Sequence, residues 1–203
     1  QSLIAASVNA VARATELSPH NVLNWLSRGF IYRELIPVMS EASAFAVSSY
    51  QQAVVLEPVH PQNWTELGRA YLAAAEVIRP LTSSPDQATV QEAQTQLTAQ
   101  LQSAQAAFER AIELKPNYAA AHFQLALTYQ RQGHLDDAID KMERVAQYNP
   151  LDVGVFFQLG MLYLQADRTD DQDLAQASFE RAVRLSPEYS NAHWFLASIY
   201  ETK

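Results

Sequence analysis

The sequence predicts an all-α chain built from consecutive helical hairpins. Three observations carry that expectation. Prolines recur at near-regular intervals, each closing a helical pattern. A large–small–aromatic signature follows each proline. A second signature, built around alanine, precedes most of them. A period of this length marks repeat architecture, and it outranks residue-by-residue propensity as a guide to fold.

The proline ladder comes first. Glu16-Leu17-Ser18-Pro19, Val55-Leu56-Glu57-Pro58, Glu113-Leu114-Lys115-Pro116, Gln147-Tyr148-Asn149-Pro150 and Arg184-Leu185-Ser186-Pro187 all end helical stretches. Proline cannot continue a helix, so each is a stop signal. Pro116 to Pro150 spans 34 residues, Pro150 to Pro187 spans 37, Pro19 to Pro58 spans 39, and Pro58 to Pro116 spans 58.

The opening signature is Trp25-x2-Arg28-Gly29-x2-Tyr32, Trp64-x2-Leu67-Gly68-x2-Tyr71, His122-x2-Leu125-Ala126-x2-Tyr129, Phe156-x2-Leu159-Gly160-x2-Tyr163 and His193-x2-Leu196-Ala197-x2-Tyr200. The closing signature is Ala46-x3-Tyr50-x2-Ala53, Ala104-x3-Phe108-x2-Ala111, Ala138-x3-Met142-x2-Val145 and Ala175-x3-Phe179-x2-Ala182. Spacings of three and four place these residues on one helical stripe. The small residue in each opening lets the neighbouring helix approach closely.

These signatures resemble the tetratricopeptide repeat family, W-x2-L-G-x2-Y…A-x3-F-x2-A…P, over nearly the whole chain. The resemblance implies a right-handed α-solenoid. Its units are a half repeat at 1–19, full repeats at 22–60, 61–118, 119–152 and 153–189, and a half repeat at 190–203, read as a single domain. Arg28 stands where leucine is usual, and His122 and His193 where tryptophan is usual. Because helical patterns run to both ends, the chain reads as a fragment of a longer protein.

Two units carry insertions. The first has five extra residues around "ELIPVMSEASAF", and Pro37 should end its first helix near Ile36. The second full repeat has 24 extra. Its first helix is expected to run on through Val77 to Arg79, followed by a turn at Leu81–Ser84. Ser84-Pro85-Asp86 reads as an N-cap, a proline at the first helical position and an acidic first turn. The second helix would then span about 29 residues, roughly 44 Å. Val90, Ala93, Leu97 and Leu101 would pair it with the Tyr71–Ile78 extension, making one elongated hairpin. Growth of that hairpin serves either a docking arm or nothing beyond tolerated length.

Composition narrows function. The chain has 203 residues, is 48% hydrophobic, and carries a net charge of −8. An acidic chain is a poor partner for nucleic acid or an anionic membrane surface. There is no cysteine, so disulfides and cysteine-ligated zinc are excluded. No apolar stretch approaches the roughly 18 residues of a spanning helix, so no membrane insertion is expected of this segment. The sequence leaves the compartment open.

No phosphate-binding loop, dinucleotide fingerprint, zinc-protease motif or nucleophile elbow is present, and no enzyme activity or cofactor is expected. His20, His60, His122, His134 and His193 occupy packing or turn positions. Asp136-Asp137 and Asp170-Asp171…Asp173 suit helix N-termini rather than a calcium loop.

The family resemblance implies a concave face lined by first helices. Motif position five is Leu26, Thr65, Phe123, Phe157 and Trp194. Position nine is Phe30, Arg69, Leu127, Met161 and Ser198. Position twelve is Arg33, Leu72, Gln130, Leu164 and Glu201. Position two includes Leu23, Gln62 and Asn191. Family members that grip a terminal carboxylate use Lys and Asn at positions five and nine, and this chain has neither. The face should be apolar instead. Leu26, Phe30, Arg69, Phe123, Leu127, Gln130, Phe157, Met161, Leu164 and Trp194 are the expected contacts for a protein or peptide partner. Aromatic residues at position five are equally suited to packing against the next repeat. Self-association is compatible with the same face.

Residues 28–61 and the stretch "VGVFFQLGMLYLQ" at 153–165 are also similar to the repeat regions of bacterial membrane proteins of the O-antigen ligase or polymerase type. That resemblance implies a membrane-anchored parent active in the cell envelope. The chain is thus expected to be an interaction scaffold, with an assembly module as the alternative.

Overall fold

The computed structural model describes residues 2–166, 168 and 170–202. Among them no strand occurs, and ten α-helices follow one another. They are α1 (Ser2–Leu17), α2 (Val22–Leu35), α3 (Ala42–Leu56), α4 (Pro61–Ile78), α5 (Gln87–Leu114), α6 (Ala119–Gln132), α7 (Leu135–Tyr148), α8 (Val153–Ala166), α9 (Asp171–Leu185) and α10 (Ser190–Thr202). The chain forms two compact units, Gln1–Pro116 and Asn117–Lys203. Within each, consecutive helices pair as hairpins, the architecture of an α-solenoid.

The proline ladder acts through the residue before it. Glu57, Lys115, Asn149 and Ser186 take φ between −127° and −144°, outside the helical region that a following proline disfavours. Each still donates its N–H to the residue four earlier: Glu57 to Ala53, Lys115 to Ala111, Asn149 to Val145, Ser186 to Ala182. Helix α6 ends differently. Gly133, at φ 82°, lets Gly133 N–H reach Gln130 O and His134 N–H reach Tyr129 O. This is a Schellman-type stop that needs a left-handed residue.

In the first unit, α2 to α5 bury Tyr32, Leu35, Ala42, Ala46, Tyr50, Val54, Leu67, Ala70 and Ala107. In the second, α6 to α10 bury a set that includes Ala126, Met142, Leu162, Phe179 and Leu196. The small residues of the opening signature face the large ones of the closing signature. A Cβ added at Gly29 would lie 2.8 Å from the Tyr50 ring, at Gly68 2.5 Å from Phe108, and at Gly160 2.7 Å from Phe179. Glycine is required there because the rings lie against the helix backbone itself. Phe108 and Phe179 are fully buried, each contributing about 1.5–3 kcal/mol of apolar burial.

The elongated hairpin is present, with two differences from expectation. Helix α4 ends at Ile78, one residue before Arg79, and the expected turn is a 3₁₀ segment at Arg79–Ser83 that starts two residues earlier than Leu81. The N-cap of α5 is Asp86, not Ser84. Its carboxylate accepts from the Thr89 N–H at 3.0 Å and the Thr89 hydroxyl at 2.5 Å. Ser84 accepts from the Asp86 N–H at 3.2 Å, so it shapes the turn before the helix, and Pro85 precedes the cap. A carboxylate near the orphan donors of the first turn also meets the positive end of the helix dipole, which favours Asp86 over Ser84. The pairing of α5 with α4 is as expected: Ala74, Ala75, Ala93 and Leu101 are buried and Leu97 is half-buried.

Candidate functional site

The first-helix residues divide by environment rather than by motif position. In the first unit, Phe30 on α2 is 50% exposed, an unusual state for a phenylalanine. Leu26, one turn earlier, is half-buried against the core. Arg69 on α4 is half-exposed and donates to Glu66 Oε1 at 2.7 Å. The other Glu66 oxygen accepts from the Arg33 guanidinium. Arg33 also lies 5.7 Å from the Phe30 ring centroid and 5.9 Å from that of Tyr50. Burial opposes its charge, but the neighbouring Tyr50 and Glu66 more than compensate, and its pKa is raised. Burial also pushes the Tyr50 hydroxyl up to about 12. Thr65 and Leu72, expected on the same face, are buried instead. Thr65 donates its hydroxyl to Pro61 O at 3.0 Å.

Leu26, Phe30, Arg33, Tyr50, Gln62, Asn63 and Glu66 line a half-open pocket of about 300 Å³. The motif did not flag Asn63, Glu66 or Tyr50 as lining a site. Asn63 and Glu66 fall on α4 beside Trp64 and Arg69, and only the packing of α2 against α4 turns them into one wall.

In the second unit, Phe123 and Leu127 on α6 and Phe157, Met161 and Leu164 on α8 are half-buried and packed against the core. Phe157 sits 5.7 Å from Phe179, 5.4 Å from Tyr189 and 5.8 Å from Phe195, ring centroid to centroid. It therefore packs between α8, α9 and α10, which is the packing role expected as the alternative for position five. Gln130 donates to Gln165 at 2.7 Å, linking α6 and α8 on their first-helix side. Trp194 on α10 is 66% exposed and meets Phe195 edge-on at 4.8 Å. Among the described residues no group of three metal-ligating side chains converges. No helix among them is long and apolar enough to cross a membrane.

Residues 107–140 and 153–189 each match a family model described as "Tetratricopeptide repeat". The chain carries tetratricopeptide repeats. The crystal structure of MamA superposes with a TM-score of 0.67 at 22% identity, covering 91% of this chain and 89% of that one. TTC0263, described as a thermophilic TPR protein in Thermus thermophilus, gives 0.68 at 19% identity, covering 97% and 90%. These likenesses concern the fold.

Among curated proteins, 96 residues are 31% identical to the human protein O-mannosyl-transferase TMTC3, or 46% of this chain and 10% of that protein. A further match over 90 residues is 32% identical to the transcription factor tau 131 kDa subunit of Saccharomyces cerevisiae, covering 42% and 9%. The chain thus spans about a tenth of the length of these relatives. Tetratricopeptide repeats are generally non-catalytic scaffolds for protein–protein contact.

Proposed function

We propose that the repeats form a non-catalytic scaffold whose first-helix faces hold an apolar or amphipathic segment of a partner protein. One observation carries the reading: Phe30 stands 50% exposed at face position nine of its repeat, while the aromatic face residues Phe123 and Phe157 are half-buried. Large aromatics gain most when a partner covers them and are the usual anchors of an interface. Arg69, Gln130, Leu127, Met161 and Leu164 complete the proposed contacts around them.

The test is a selection from a displayed library of random twelve-residue peptides against the intact chain. Recovered peptides are then titrated against Phe30→Ser and Trp194→Ser. Each substitution removes an exposed side chain, so helicity by circular dichroism should stay unchanged. At least one should weaken binding by roughly tenfold or more, the effect of about 1.4 kcal/mol at an anchor. Full binding by both variants would remove the basis of the proposal.

A second reading keeps the same faces for self-association, in an assembly module of a membrane-anchored, cell-envelope polymer-synthesis protein. The stretches at 28–61 and 153–165 support it, and the turn before α3 adds Val38, 77% exposed, and the first turns of α3 add Phe45, 45% exposed. Light scattering across a concentration series separates the two: a chain that stays monomeric speaks against assembly.

A further inference from the structure

Helix α5 has 28 residues, where α4, the next longest, has 18. Its outer side carries a stripe that neither the core nor the first-helix face uses. Ala88, Gln91, Thr95, Thr98 and Gln102 are exposed and Gln105 is half-buried. From Gln87 to Ala106 the one charged residue is Glu92, at the edge of the stripe and bonded to Gln96. A surface helix ordinarily turns charged residues outward. An exposed face depleted of charge is what the centre of an interface looks like before it is covered. A shallow depression of about 430 Å³ runs along it, between Gln91 and Gln102.

The spacing and the order of the stripe indicate what covers it. Positions 88, 91, 95, 98, 102 and 105 alternate steps of three and four, the period of a helix–helix seam. The order is also a palindrome. Turned end over end about a point midway between Gln96 and Leu97, Thr95 falls on Thr98, Gln91 on Gln102 and Ala88 on Gln105, and beside the seam Gln94 falls on Ala99. A two-fold contact between identical chains requires a surface that matches itself in this way. Each pairing is chemically sound. Two carboxamides donate to and accept from each other, and the other glutamines meet an alanine, long against short. The Thr95 and Thr98 hydroxyls donate to Gln91 O and Gln94 O at 2.9 and 2.8 Å, which leaves their methyls for a partner. Two copies of a chain with net charge −8 repel each other, and this seam brings together a stretch that adds almost nothing to that repulsion.

We propose that α5 pairs antiparallel with α5 of a second copy, the two-fold axis passing between Gln96 and Leu97. The surface is separate from the first-helix faces, and it gives the extra length of α5 a use. A polar seam holds less tightly than an apolar one. One helix face per copy also falls short of the roughly 1,600 Å² of a standard interface. The dimer therefore forms and dissociates with concentration.

The chain has no cysteine, so introduced thiols report without background. Gln91→Cys mixed with Gln102→Cys at millimolar protein should give a disulfide-linked dimer under mild oxidation. Neither variant alone should do so, because like positions lie about 16 Å apart along the paired helices, beyond the reach of a disulfide. Sedimentation velocity of the intact chain should show a dimer that grows with concentration. Thr95→Glu sets two carboxylates within one turn of each other across the axis. It should weaken dimerisation at least about tenfold with helicity by circular dichroism unchanged, while Phe30→Ser leaves the dimer intact. A monomer throughout the concentration series overturns the pairing. So does a dimer that Thr95→Glu does not weaken, or a crosslink formed by either cysteine variant alone. A dimer lost in Phe30→Ser and kept in Thr95→Glu places self-association on the first-helix faces instead, and the α5 seam falls.

Discussion

Arg181 donates from Nη2 to the carbonyl oxygen of Pro150 at 3.2 Å, its guanidinium 5.6 Å from the centre of the Phe156 ring. The contact makes sense beside the other repeats. Trp25 Nε1 donates to Pro19 O and Trp64 Nε1 to Pro58 O, both at 2.7 Å, and His193 Nε2 meets Pro187 O at 2.8 Å. The ring that opens a hairpin thus holds the carbonyl of the proline that closed the one before. The Phe156 ring has no N–H, and an arginine from α9 takes over the donation. Arg181→Ala should cost about 1 kcal/mol, the net worth of one such bond. In a Phe156→Trp background the cost should largely vanish. A double-mutant cycle by urea unfolding measures the difference, and equal costs in both backgrounds would show that Arg181 acts by some other contact.

The glycine–ring contacts give a second expectation. Gly160→Ala would bring a methyl to 2.7 Å from Phe179, overpacking that typically costs about 1–3 kcal/mol. Ala126 and Met142, both fully buried, hold the corresponding positions in the preceding repeat. Gly160→Ala combined with Phe179→Met should therefore recover part of the loss. A pair that is no more stable than the single variant would mean that ring shape does not set the requirement.

These two relationships also show what the sequence could and could not convey. The signatures predicted a close helix approach at Gly68 and the elongated α4–α5 hairpin, because helical spacing determines which residues share a stripe; that the Phe108 ring fills the approach came from the structure. The spacing does not say what lies across from that stripe. Phe123 and Phe157 share a motif position with Trp194, yet Phe157 is enclosed by Phe179, Tyr189 and Phe195 while Trp194 is largely exposed, with Phe195 beside it. Asn63 carried no signal at all, since its role depends on α2 meeting α4. Asp86 was placed within the first turn but outcompeted Ser84 for the cap, a contest between two good capping residues that sequence alone does not settle.

Asp171 gives a pH-dependent expectation. It is 3% exposed and accepts from Arg168 Nε at 2.8 Å and from the Arg168 N–H at 3.0 Å. The Arg168 hydrogen bond holds its carboxyl below the usual aspartate value. A depressed folded-state pKa stabilises the fold above the unfolded value, near about 4, and that stability is lost as pH falls through the folded value. Asp171→Asn should therefore be less stable than the parent at pH 7, with the gap closing below about pH 4. A gap that persists unchanged at about pH 2 would assign the effect to packing rather than charge.

Exposure separates anchors from core. Phe157→Ala should destabilise the second unit by about 3 kcal/mol, the lower end of the range for losing a packed aromatic, since Phe157 is half-buried. Trp194→Ala should change stability by less than about 0.5 kcal/mol. Thermal melts of the two variants check both; similar losses would contradict the division drawn between them.

The central claim is that first-helix faces hold a partner segment. Methyl NMR locates that segment most directly. A library-selected peptide is added to the chain carrying labelled Leu, Met and Val methyls. The account predicts shifts at the first-helix methyls of the unit that binds it, Leu26 in the first or Leu127, Met161 and Leu164 in the second, with Val54, Met142 and Val145 on second helices unmoved. Shifts confined to the second-helix methyls would contradict it.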